Sequence, residues 1–112
     1  MRIHTDSNGL YVHSISHTSE GKAVNGRLYY VQAGPNASKL EFQEGPTDEG
    51  VNGLTNEALL AVLVHRTKVL DSQLPCRENK RAIEHMLEAA ACFEVRTTMR
   101  LFMGSESKTG LE

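Results

Sequence analysis

The chain has 112 residues, with 12 basic and 14 acidic side chains and a net charge of −2 at neutral pH. That length leads one to expect a single domain with a modest core, which gains from association with copies of itself. The lack of a basic excess argues against a duplex-DNA binder, although local basic groups remain free to hold a small anion.

In chain order, the first ten residues are polar and contain no apolar run, so no signal peptide is expected. No later stretch reaches the roughly 20 apolar residues of a membrane-spanning helix. A reducing cytoplasm is the expected address, with Cys76 and Cys92 as free, small buried hydrophobes. Three segments are strand-like: Leu10 to Ile15, Arg27 to Gln32, and Leu40 to Gln43. Ser19-Glu20-Gly21, Asn25-Gly26 and Gly34-Pro35-Asn36 read as turns between strands. Short connections imply an antiparallel meander of three strands.

Gly45-Pro46-Thr47-Asp48-Glu49-Gly50 reads as a polar linker, after which the apolar period changes. Thr55 suits a helix N-cap, with Glu57 in the first turn where an acid complements the helix dipole. The helix that follows is apolar around most of its circumference (Leu59, Leu60, Val62, Leu63, Val64, Val69, Leu70), which predicts burial on more than one side and hence self-association. Pro75 ends it. A second helix is expected from about Arg77, with Ile83, Leu87, Ala90, Phe93 and Leu101 at helical spacing. The expected fold is α+β in one domain, 1–112. An N-terminal antiparallel β-meander occupies about 9–46, a C-terminal antiparallel helical hairpin about 52–103, and a flexible tail 104–112.

The chain contains no Gly-x-Ser-x-Gly elbow, Walker loop or dinucleotide fingerprint. Its five histidines are scattered, with only His13 and His17 close enough in sequence to meet, and no metal site or cofactor is expected. Glu84 and Glu88 share a helical face and read as solvated. Arg96 and Arg100, at i and i+4, project to one side of the second helix beside Phe93, with Thr97 close by. Two guanidinium groups next to an aromatic plane suit a ligand with both bases and phosphates, because arginine binds phosphate bidentately and also stacks. The same residues also fit a solvated basic helix end. In the sheet half, Lys22, Arg27, Tyr29 and Tyr30 are the candidates, with Arg27 as a ligand contact. Adjacent tyrosines point to opposite faces, so one belongs to the core. The expectation is a binding module and not an enzyme. A protein–protein interaction module using the apolar first helix is the alternative.

Several motifs carry a family resemblance. They are Phe42-Gln43-Glu44-Gly45-Pro46, Gly50-Val51-Asn52-Gly53, Thr55-Asn56-Glu57-Ala58-Leu59-Leu60-Ala61, Cys76-Arg77-Glu78-Asn79 and Arg96-Thr97. Across roughly residues 40 to 100 the chain resembles the phage helical-hairpin sponge proteins that defeat Thoeris and CBASS immunity. The sheet before the hairpin makes it look like the Thoeris anti-defence type one branch. The resemblance implies sequestration, without degradation, of cyclic ADP-ribose isomers such as the glycocyclic form, with cyclic trinucleotides in a separate pocket of some members. It also implies dimers that assemble into hexamers in the cytoplasm of the infected bacterial host, with neither DNA nor a membrane as partner. By the same resemblance Asn79 contacts the ADP-ribose type ligand, while Arg96 and Arg100 contact phosphates. Leu70 stands where the family commonly has a stacking Phe, and the loop before Cys76 is one residue shorter.

Overall fold

The computed structural model describes residues 1–103, which fall into two compact units meeting between Leu54 and Thr55. The first is a four-stranded antiparallel sheet in the order β1-β2-β3-β4: β1 Arg2–Thr5, β2 Tyr11–Ser19, β3 Lys22–Ala33 and β4 Asn36–Glu41. Each strand pairs with its neighbour in sequence because the connections are tight. Between β1 and β2, the Asp6 carboxylate accepts from the backbone N–H of Asn8 (2.9 Å) and of Leu10 (3.1 Å). Between β2 and β3, Glu20 and Gly21 take φ values of 52° and 78°, the left-handed pair that a two-residue hairpin turn requires.

The sheet corrects the expected three-stranded meander. A fourth strand, β1, precedes the others: Thr5 pairs with Tyr11 and Arg2 with His13. It was hidden in the sequence because all four of its residues are exposed, so no apolar alternation marks it. Backbone pairing holds it, together with the Arg2 guanidinium 4.2 Å from the centroid of the Tyr11 ring. Asn25-Gly26 is also not a turn. It lies within β3, where the register passes from Ile15↔Leu28 to His17↔Val24 and Ser16 faces the bulged residues Asn25, Gly26 and Arg27. The last strand is earlier than expected, and Phe42 instead makes an isolated parallel bridge to Leu54.

The segment after β4 is a built loop. Gln43 donates its side-chain amide to the carbonyls of Gly50 (2.8 Å) and Gly45 (3.2 Å), and its Oε1 accepts from the Asn52 N–H at 2.9 Å. Asn52 reciprocates, accepting from the Glu44 N–H and donating to the Glu44 carbonyl, both at 2.8 Å. Two short backbone bonds, Gln43 N–H to Leu54 carbonyl (2.7 Å) and Leu54 N–H to Glu41 carbonyl (2.9 Å), tie its ends. Gly53 is required here: a Cβ would stand 2.6 Å from the Phe42 carbonyl carbon and oxygen.

The second unit is a pair of packed helices, α1 Asn56–Gln73 and α2 Arg77–Met103, turned back on each other by a three-residue connection. Thr55 is the N-cap expected for α1, its hydroxyl accepting from the Ala58 N–H at 3.1 Å. Most residues shielded from solvent trace one seam: Glu57, Leu60, Val64, Thr67 and Asp71 on α1, and Asn79, Ile83, Met86, Ala90, Phe93 and Thr97 on α2, with Leu59 and Ala89 beside it. Leu87 falls off this seam and is 51% exposed, unlike the sequence expectation. Val64, 9% exposed, is the one buried hydrophobic among the described residues. Val62, Leu63, Val69 and Leu70 on α1, with Val95 and Met99 on α2, remain exposed. Among the described residues, no helix is long and apolar enough to cross a membrane. The expected tail, 104–112, lies outside the described residues.

Candidate ligand-binding site

The residues singled out on the hairpin fall into two groups at its opposite ends. At the open end, Arg96 is exposed and its guanidinium stands 5.3 Å from the centroid of the Phe93 ring. That is the cation–π geometry expected from their spacing of three residues. One turn of contact further, Thr97 donates its hydroxyl to the Glu57 carboxylate across the seam at 3.5 Å. Glu57 is a member of this cluster that the sequence marked only as a helix-dipole residue. Arg100 lies in α2, with its side chain outside the described residues.

At the turn end, Leu70 is 42% exposed at the last turn of α1, and Asn79 is half-buried in the first turn of α2. Between them stands Asp71, which sequence reasoning missed. Its carboxylate accepts from the Cys76 N–H at 3.0 Å and pairs with the Lys80 ammonium at 3.0 Å. Those two partners, and then the Asn79 side chain, hold its pKa below the ordinary carboxylate value. Asp71 therefore ties the end of α1 to the beginning of α2 and fixes the neighbourhood of Asn79. An acid just before a Pro-containing break, nine residues ahead of a lysine, was the available signal. Cys76 assists, its sulfur accepting from the Asn79 N–H at 3.4 Å. Both cysteines are free, and Cys92 is exposed instead of buried.

The two groups do not meet within one chain. Asn79 and Arg96 share α2, whose rise of about 1.5 Å per residue separates them by about 25 Å. Along α1, Ala61, Val62, His65, Arg66, Val69 and Leu70 line an open depression of about 570 Å³. These residues recur at i, i+4 and i+8, so the depression is one face of the helix. It carries two basic side chains among apolar ones.

In the sheet unit, Arg27 is already engaged. Its Nε donates to the Phe42 carbonyl (3.1 Å), and its terminal nitrogens pair with Glu41 (3.4 Å) and Glu44 (3.2 Å). Two carboxylates and a carbonyl thus meet its charge. Tyr29 packs edge-on against Phe42 with ring centroids 5.7 Å apart, while Tyr30 is 40% exposed, the division expected for adjacent strand residues. Lys22 is exposed at the start of β3. His13 and His17 lie four residues apart on one strand, about 13 Å at strand rise, and cannot share an ion.

Fold and site together describe a small protein of one β-sheet and one helical hairpin, with arginine and apolar groups presented on exposed helical faces and the Asn79 amide half-buried at the turn. No family model matches the chain. A curated relative does: Thoeris anti-defense 1 from Bacillus phage SBSphiJ7 is 39% identical over 69 residues, which cover 60% of this chain and 49% of that protein. The chain is thus similar to a Thoeris anti-defence protein, in line with the resemblance of its motifs, and it spans about half the length of the curated relative it matches.

Proposed function

We propose that the protein is a phage anti-defence sponge that binds a nucleotide immune signal and withholds it without degrading it. Cyclic ADP-ribose isomers such as the glycocyclic form are the first ligands, and cyclic trinucleotides are a second class for a separate pocket. The relative named Thoeris anti-defense 1 supports the anti-defence role. The observation that carries the ligand class is the exposed Arg96 guanidinium held over the Phe93 ring, a cation ready for phosphate beside an aromatic face.

The spacing along α2 adds a requirement. Nothing the size of a cyclic mononucleotide reaches from Arg96 to Asn79 of the same chain, about 25 Å away. A second hairpin lying antiparallel to the first brings one copy's Arg96 to the other's Asn79 and Leu70. The exposed Val62, Leu63, Val69 and Leu70 supply an apolar surface for that pairing. In this reading Arg96 and Arg100 bind phosphate, Asn79 binds base or ribose, Thr97 stays within hydroxyl reach, and Leu70 covers a ring. Arg27, already paired with two glutamates, shapes the sheet unit. No catalytic step is needed, since a sponge works by affinity alone.

Calorimetry with cyclic ADP-ribose isomers tests this directly. Arg96→Ala is expected to weaken binding by about tenfold or more, the loss of one charge-assisted contact, while leaving the thermal transition in place. Wild-type affinity in that variant would remove Arg96 from the site. The rival reading, a module that binds another protein through α1, predicts a monomer with no affinity for any of these ligands.

A further inference from the structure

The sheet carries a second set of aromatic and cationic groups that the hairpin reading does not use. The strand register aligns Arg2 with His13, His13 with Tyr30, and Tyr30 with Lys39, one residue from each strand in a single row across the sheet. Directly opposed residues share a face, so these four side chains stand on the same side. Tyr11, two residues before His13, joins them: its ring lies 5.2 Å from the His13 ring, and the Arg2 guanidinium stands 4.2 Å from its centroid.

The row is open to solvent where it matters. Tyr30 is 40% exposed, the Lys39 side chain is 52% exposed, and Arg2 is exposed. Lys39 also holds Glu41 at 3.2 Å, but that carboxylate is shared with Arg27, so the ammonium is not fully offset. Three strand spacings of about 4.8 Å set the two cations roughly 14 Å apart with the aromatic rings between them. The opposite face holds Val12, Tyr29, Val31 and Leu40 together with Ser14 and Ser38, while the row's own face continues into Ile15, Leu28 and Glu41. The aromatic and cationic groups are thus gathered in one part of one face.

We propose that this aromatic-cationic face is a binding platform for single-stranded nucleic acid. A base stacks on the exposed Tyr30, and the flanking phosphates meet Lys39 and Arg2, whose guanidinium covers the half-buried Tyr11 ring. Stacking on a sheet aromatic needs an unpaired base. A duplex offers no free base faces, and the net charge of −2 does not favour wrapping one. Recognition of this kind reads π-faces and phosphates and so tolerates any sequence.

The test is fluorescence anisotropy of the full chain with an end-labelled 12-nucleotide RNA, against salt concentration. Saturable binding is expected, with affinity falling as salt rises. Tyr30→Ala is expected to lower affinity about tenfold and Tyr30→Phe to retain it, because the ring and not the hydroxyl does the stacking. Lys39→Gln, on an exposed edge strand, keeps the fold by circular dichroism and flattens the salt dependence. Absence of binding up to about 100 μM protein overturns the proposal. So does binding that Tyr30→Ala and Lys39→Gln both leave unchanged.

Discussion

In the sheet unit, polar and specific bonds hold the chain: Arg27 between Glu41 and Glu44, Gln43 and Asn52 bonded across a loop, and Gly53 pressed against Phe42. The hairpin is held by a narrow seam around Val64, and both its helices keep apolar side chains facing outward. A unit fixed by local bonds is complete in its own details. A unit whose shielded surface is one seam has apolar area left to cover, and the proposed pairing of hairpins covers it.

Substitutions sharpen that contrast. The largest effect is expected at Gly53→Ala, where the new methyl group meets backbone that cannot yield without breaking the bonds from Gln43 and Leu54. A loss of about 3 kcal/mol is expected in urea unfolding. Its effect should not depend on protein concentration. Val64→Ala removes the buried centre of the hairpin seam and should cost about 2 kcal/mol. Here the unfolding midpoints of wild type and variant should both rise with concentration, because assembly stabilises the folded hairpin by mass action. Hairpin midpoints that do not move with concentration would break the contrast between the units.

Asp71→Asn gives the smallest effect, and its sign follows from pH. The folded-state pKa of Asp71 is lowered, so its contribution is present above the ordinary carboxylate value of about 4 and is lost as pH falls through and below that range. The variant should melt below the wild type at pH 7 and converge with it near pH 3. A gap that persists in acid would mean that shape and not charge accounts for the residue.

Much of the hairpin could be read from the sequence because its signals are local. Thr55 caps, Pro75 breaks, and the three-residue spacing puts Phe93 under Arg96. The sheet was less readable because its decisive contacts cross strands. Asn25-Gly26 has the composition of a hairpin turn, yet it forms a bulge, since the strand after it continues against the same partner. The two partners of Arg27 depend on register and on a carbonyl at Phe42, which no spacing rule supplies. The loop from Gln43 to Asn52 looked like a linker because side chains bonding to distant backbone leave no pattern in composition. Asn79 and Arg96 were named together from motifs, and only the length of α2 shows that one chain cannot bring them to one ligand.

The most direct test of withholding without turnover is to mix the protein with cyclic ADP-ribose isomers and cyclic trinucleotides, remove what stays free, denature by heat and analyse the released material by chromatography. The account predicts that at least one of these ligands disappears on mixing and returns chemically intact after heating. A ligand that returns altered would make the protein an enzyme, and depletion of none would contradict the sponge.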